Sequence, residues 1–263
     1  LYYWYLASRP KTLWVSIAPI CIALSISHSI HIPTTICILI SALCIQIGCN
    51  LANDYFDYKK GTDQNRLGPT RVSQSQLIPE EQVKFGFIAV FSLAFFVGLY
   101  LIFRGGTPIL LIGLSALACG VLYTAGPWAL AYTGLADFVA FIFFGPISVA
   151  ATIYLQELNS STIGLLFGLS TGAYAVAILT VNNLRDQKTD KIAKKNTLVV
   201  RFGQRFGIIE YTLMILLPLS ISTYYGMLTQ NTLFLITAVI LLWPSYQLIK
   251  KVSSKQGADL NPY

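Results

Sequence analysis

Eight long apolar runs, at 13–30, 34–56, 85–103, 109–123, 135–155, 162–181, 208–227 and 232–249, fill most of this 263-residue sequence. A helix that crosses a bilayer needs about 20 apolar residues. Runs of this length and apolarity read as membrane-spanning helices. The fold class is therefore all-α, a polytopic transmembrane helix bundle with eight visible spans. Composition agrees: 55% of residues are hydrophobic and 11% charged, against about 25% charged in soluble domains. The chain reads as a single transmembrane domain, 1–263, with two polar motif loops at 57–84 and 186–207.

The net charge of +7 invites a nucleic-acid reading, but the basic residues flank the apolar runs. With the N-terminus inside, 17 of the 18 Lys and Arg fall on one side, leaving only Arg104 opposite. That bias is the positive-inside signature. It predicts a multi-pass protein of the cell (inner, cytoplasmic) membrane, with lipid as its surroundings, no nucleic-acid partner, and the N-terminus and both polar motifs cytoplasmic. The five cysteines lie in apolar runs without CxxC spacing, as ordinary core thiols do. His28 and His31 flank a turn near a span end and lack carboxylate or thiol neighbours. The first run leads into further runs rather than a small-residue cleavage site, so it is a span and not a signal peptide.

Acidic residues at membrane depth need a reason. The second run ends in Asn50-Leu-Ala-Asn53-Asp54-Tyr-Phe-Asp57, followed by Gly61-Thr-Asp63. As a continuing helix this puts Asn50, Asp54 and Asp57 on one face, with Asn53 and Asp57 at i, i+4. The sixth run ends in Asn182-Asn183-Leu-Arg185-Asp186 and reaches Asp190, with Asn182, Asp186 and Asp190 at i, i+4, i+8. Oxygen ligands in this pattern suit Mg²⁺, which takes one or two carboxylates plus water and substrate phosphate. Two facing Asp/Asn helix ends can hold two Mg²⁺ ions around one diphosphate. Arg66 and Arg71 follow the first motif, and Lys195 and Arg201 the second, as candidate diphosphate contacts. Tyr55, Phe56, Tyr58 and Tyr123 are placed to face a carbocation through their π-clouds. A lone Asp pair at a membrane boundary is an ordinary solvated helix end. Two such motifs on one side, each with an Asn and a basic stretch, argue for a site.

The same residues resemble the UbiA-type membrane prenyltransferases. Arg9-Pro-Lys-Thr-Leu13 is similar to the family's entry, and the two Asn/Asp motifs to its two metal motifs. Gly68-Pro-Thr-Arg-Val-Ser-Gln-Ser75, Tyr123-Thr-Ala-Gly-Pro127, Leu130-Ala-Tyr132, Phe143-Phe-Gly-Pro146 and Lys195-Asn-Thr-Leu198 resemble the branch that prenylates 1,4-dihydroxy-2-naphthoate. The resemblance implies nine spans around a central lipid-open cavity, and Mg²⁺-dependent transfer from a polyprenyl diphosphate to the aromatic acceptor. In the naphthoate branch CO₂ and pyrophosphate leave and demethylmenaquinone forms, a step of menaquinone biosynthesis. It further implies Asn53, Asp54, Asp57, Asp63, Asp186 and Asp190 at the metal and diphosphate. Asn50 and Asn182 support them, Arg66, Arg71, Lys195 and Arg201 contact substrate, and Tyr123 faces the reacting centre. Gln76 and Ala136 depart from the pattern, where a small residue and Gly are expected. Ala258-Asp-Leu-Asn-Pro262 resembles the approach to a ninth span. Prenylation of 4-hydroxybenzoate or homogentisate, or haem farnesylation, fits the same superfamily. An ion-coupled transporter also carries intramembrane acids, but near the midplane. A CDP-alcohol phosphotransferase would show a spaced Asp-Gly and Ala-Arg pattern that is absent.

Overall fold

The computed structural model describes residues 1–62 and 67–263. Asp63 and Arg66 lie outside the described residues. Among those described, every regular element is helical. A short helix, α1 (Tyr2–Ser8), ends at Arg9, whose left-handed backbone (φ 50°, ψ 68°) turns the chain into α2 (Pro10–Ile26). Pro10 suits this start, since its missing N–H would be unpaired there anyway. That is why α2 begins before the expected residue 13. The next helix, α3 (Ile32–Lys59), runs unbroken through the first motif, as the i, i+4 reading requires.

The helix α4 (Glu80–Leu122) has 43 residues. At 1.5 Å per residue that is about 65 Å, roughly twice the hydrocarbon thickness. It is two antiparallel limbs joined at Gly106, which takes φ 69° and ψ −156° just before Pro108. The fold-back shows in the packing: a Cβ on Gly120 would lie 2.8 Å from Cys49 Sγ and 3.2 Å from the Phe91 ring. Phe91 belongs to the first limb and Gly120 to the second, so the runs 85–103 and 109–123 are the two arms of one hairpin.

A single turn, α5 (Leu130–Thr133), leads to α6 (Ala136–Ile142), a π-turn over Phe143–Ile147, and α7 (Ser148–Glu157). Then follow α8 (Thr162–Ile192), α9 (Leu198–Phe202), α10 (Gln204–Thr229) and α11 (Thr232–Ser254). The sixth apolar run ends near 181, and α8 continues through the second motif to Ile192, as its i, i+4, i+8 reading requires. The stretch 186–207 is therefore largely helical. Gly257–Leu260 forms a 3₁₀ turn, with Leu260 buried beside Leu184, Tyr211 and Val252.

Among the described residues six segments are long and apolar enough to cross a membrane: α3, α4, α6 with α7, α8, α10 and α11. The apolar window of α8 is 50% buried and that of α11 only 11%, so α8 is the central post and α11 a peripheral one. Around α8 stand α2, α6, α7 and α10, while α3 packs on both limbs of α4. Large apolar side chains face outward, Phe103 at 91% and Trp243 at 65% exposure, as they must where hydrocarbon replaces water. The end opposite the motifs is tied shut. There Arg104 donates to the carbonyls of Leu155 (2.6 Å) and Gln156 (3.1 Å), and Gln156 Oε1 accepts from the His31 N–H at 2.7 Å.

Candidate active site

Asp57, fully buried at the last turn of α3, joins the two motifs. Its Oδ2 accepts from Lys195 Nζ at 2.9 Å and Arg71 Nη2 at 3.4 Å. Its Oδ1 accepts from the Tyr132 hydroxyl at 3.0 Å. Lys195 follows α8 and lies 138 positions along the chain from Asp57, so this contact brings the helix ends together. Asn53 Oδ1 accepts from the same Arg71 nitrogen at 3.2 Å.

Arg71 reaches them because of Asp54. The two oxygens of Asp54 accept the backbone N–H groups of Val72 (3.0 Å) and Ser73 (3.2 Å). They fasten the turn after Arg71 onto α3, while Val72 is buried among Ala7, Leu51, Ala52 and Val83. Asp54 thus serves the loop that carries the arginine. In the second motif, Arg185 grips the neighbouring Asp186 with Nε (2.9 Å) and Nη2 (2.6 Å). Asp190 sits half-buried in the last turns of α8, its carbonyl accepting the Lys195 N–H at 2.9 Å. Arg201 is exposed and donates to the carbonyls of Thr133 (2.7 Å) and Asn196 (3.0 Å). It fastens α9 to α5 and does not reach the cavity.

Below Asp57 lies a cavity of about 380 Å³. Asn50, Asn53, Tyr123 and Asn182 line its polar head, and the body is apolar, with Ile38, Leu101 and Leu155. Asn50 is set by donating to Ser8 O (2.9 Å) and Thr12 Oγ1 (3.1 Å). Among the described residues Arg9 is the one charged side chain on the cavity wall. The second limb of α4 makes at most marginal contact with α6 and α8, and its Leu114 and Leu117 face the cavity together with Ile178 and Leu179 of α8. Tyr123 keeps some exposed surface, but onto the cavity. Tyr55 and Phe56 turn away instead, packing with Phe87 at ring distances of 5.8 and 5.9 Å. The cavity's aromatic side chains are Phe95, Tyr123, Phe143 and Phe144.

Sequence reasoning assigned no role to Arg9, Lys60, Tyr132 or Arg185. Arg9 and Lys60 look like topology-setting basic residues in the sequence. Only the left-handed turn at Arg9, which no motif spells out, aims the first at the cavity.

Among the described residues no three His, Cys, Asp or Glu side chains gather into a self-contained metal cage. What the two helix ends offer is oxygen: Asn53, Asp54, Asp57, Asn182 and Asp186. That set fits a hard divalent cation that completes its shell with water and substrate phosphate, and it suits softer metals poorly.

Oxygen-bearing helix ends ringed by Lys and Arg, above an apolar cavity, define a class: membrane-embedded helix bundles with a polar, cation-rich site at one end of an apolar chamber. Within that class the chain belongs to the UbiA prenyltransferase family, whose profile matches residues 13–261. It is 33% identical to the 1,4-dihydroxy-2-naphthoate octaprenyltransferase of Mycobacterium tuberculosis, over 82% of this chain and 79% of that protein. The enzyme of the same name from Mycobacterium leprae is 33% identical over 76% of this chain and 69% of its own. The fold is that of a UbiA homolog from Archaeoglobus fulgidus whose structure holds GPP and Mg²⁺. The TM-score is 0.73 at 13% identity, over 98% of this chain and 93% of the other. The protein is an integral, multi-pass membrane prenyltransferase of this family.

Proposed function

We propose that this protein transfers a polyprenyl chain from polyprenyl diphosphate to 1,4-dihydroxy-2-naphthoate, releasing pyrophosphate and CO₂ and giving demethylmenaquinone. The observation that carries the reading is the 2.9 Å contact of Lys195 with Asp57, which seats both motifs over one apolar cavity. The names of the relatives supply the acceptor. The chain crosses the cell membrane eight times, through α2, α3, the two α4 limbs, α6–α7, α8, α10 and α11. Its N-terminus and its site face the cytoplasm, as the Lys/Arg bias requires.

Asn53, Asp54, Asp57, Asp186 and Asp190 hold two Mg²⁺ ions, with Asp63 as a further ligand and Asn50 and Asn182 in support. When bound, Mg²⁺ supplies positive charge to the diphosphate oxygens and so favours their departure. Arg71 and Lys195, with Arg66, donate to the same oxygens as the allylic C–O bond breaks and its electron pair leaves with pyrophosphate. The cavity walls keep water from the allylic cation, and the apolar body holds the rest of the tail. Arg9, the one charged side chain on the cavity wall among the described residues, receives the acceptor's carboxylate and turns the ring toward the cation. Tyr123, a neutral phenol, offers its π-face and O–H beside the reacting carbon. The ring's π pair forms the new C–C bond. CO₂ then leaves, and its bonding pair restores the aromatic ring.

The test is an assay of purified enzyme with polyprenyl diphosphate and 1,4-dihydroxy-2-naphthoate, with Mg²⁺ or with EDTA, following pyrophosphate, CO₂ and prenylated product. Mg²⁺-dependent release of both small products is expected. Pyrophosphate release with a different aromatic acceptor alone would keep the family and discard the naphthoate assignment.

A further inference from the structure

Tyr132 lies in the single turn of α5, where neither motif reaches. Its carbonyl accepts the Asn196 N–H at 3.3 Å, which ties it to the stretch after α8. Its hydroxyl donates to Asp57 Oδ1 at 3.0 Å. Its ring meets two ammonium groups, Lys60 Nζ at 4.2 Å and Lys195 Nζ at 5.2 Å from the centroid. Lys60 also donates to the carbonyls of Thr124 (2.7 Å) and Gly126 (3.1 Å). One side chain therefore touches the end of α3, the stretch after α8 and the carboxylate between them.

Two lysines facing one ring repel each other. Asp57 takes one donor of Lys195, and the Thr124 and Gly126 carbonyls take two of Lys60. A second carboxylate would cancel further charge and occupy the remaining N–H groups, whereas an aromatic face attracts both ammonium groups through its quadrupole and leaves those N–H groups to an anion. We infer that Tyr132 is a positioning residue that holds Lys60 and Lys195 as a paired receptor for the diphosphate and, through its hydroxyl, fixes Asp57 beneath them. The inference rests on the prenyl-diphosphate reading of this site. It adds Lys60 to the anion contacts and separates the work of the ring from that of the hydroxyl.

The experiment measures inorganic pyrophosphate binding by calorimetry in detergent with Mg²⁺, and KM and kcat for the polyprenyl diphosphate, in wild type, Tyr132→Phe and Tyr132→Leu. Phe keeps the ring and loses the hydroxyl. It should bind pyrophosphate within about twofold of wild type while kcat falls, because the ring stays over both lysines and only the hydroxyl's contacts are lost, those to Asp57 and Thr62 Oγ1 among them. Leu loses both, and its pyrophosphate Kd and substrate KM should rise about tenfold. In a Lys60→Met background the Leu substitution should cost about threefold or less, since half of the clamp is already gone. Equal losses of pyrophosphate affinity in Phe and Leu, or no loss in a Leu variant with an unchanged unfolding midpoint, would overturn the inference. If the Leu variant does not fold, Tyr132→Trp replaces it. Trp keeps an aromatic face and should match Phe, and a tenfold loss of affinity there would overturn the inference equally. A wild type that binds no pyrophosphate and forms no prenylated product overturns the reading of the site itself, which separates the two failures.

Discussion

Asp57 has no exposed surface and three donors around it, so the choice of substitution at this position decides what is learned. Ala would remove the carboxylate that Arg71 and Lys195 share, and removing one partner of a buried ion pair costs about 3–5 kcal/mol. Asn keeps the shape and one accepting oxygen, but it replaces the other with an N–H donor and removes the charge. Asp57→Asn should lower turnover at least about a hundredfold while the unfolding midpoint falls less than in Asp57→Ala. Full activity, measured as pyrophosphate release at saturating Mg²⁺, would remove Asp57 from the metal assignment. Lys60 gives a pH signature. Burial lowers its ammonium below the usual lysine range, Asp57 offsets part of this, and Lys195 adds to it. Such a lysine is charged at neutral pH and loses its proton earlier than a free one as pH rises. Pyrophosphate affinity should therefore fall on the alkaline side, and Lys60→Met should weaken binding at neutral pH and flatten that fall. An alkaline limb unchanged in the variant would assign the decline to another group. The spacing of Asn50, Asp54 and Asp57 was legible because a helical period is written into residue order. The partners of each acid were not legible. That Asp54 would face two backbone N–H groups, or that Arg185 would fold onto its own neighbour Asp186, follows from tertiary approach that no spacing encodes.

The helices repeat this division between what order records and what packing decides. The eight apolar runs all recur as helical rods, because hydrocarbon-length apolarity leaves the backbone little choice. Their ends shifted wherever a polar stretch could continue a helix. Thus α8 runs on to Ile192, where a membrane-length reading stops near 181, since charged residues beyond the bilayer are no obstacle to helical hydrogen bonds. The closeness of α8 to the π-turn was also invisible. A Cβ on Gly168 would lie 2.6 Å from Pro146 Cα, and one on Gly145 2.7 Å from the Gly168 carbonyl. Backbone meets backbone here, so neither side can yield as a flexible side chain would. Gly168→Val should cost about 1–3 kcal/mol by overpacking and lower the unfolding midpoint. Gly113→Ala, where nothing lies within 4 Å of the added carbon, should be neutral or stabilising by up to about 1 kcal/mol. Thermal unfolding of the two variants side by side checks this contrast, and equal midpoints would remove the close approach as its cause.

For the whole molecule, the two ends differ in what they present. The motif end carries Asp57, Lys60, Arg71 and Lys195, and the opposite end is closed by Arg104 and Gln156. With the native cysteines replaced, Lys188→Cys should react with a membrane-impermeant thiol reagent only from the cytoplasmic side and Ser160→Cys only from the other; both positions are exposed. Labelling of both from one side would reverse or break the proposed topology. The cavity also sets a length rule. Gly113 lines its wall on the second limb of α4, midway between the hinge and the site, with open space before it. Gly113→Phe should therefore raise KM for a long polyprenyl diphosphate while leaving that for geranyl diphosphate nearly unchanged, as steady-state assays with the two donors would read.

The sparse contact between the second limb of α4 and the pair α6 and α8 has a kinetic consequence for the proposed reaction. A polyprenyl donor entering between them, and a prenylated product leaving the same way, would never pass through water. Encounter then takes place within a sheet two molecules thick, and the concentration that governs saturation is the donor's mole fraction among the surrounding lipids. Diluting the vesicles in buffer at fixed lipid composition should leave turnover per enzyme unchanged. Adding inert lipid at fixed total donor should slow it, as if substrate had been withdrawn.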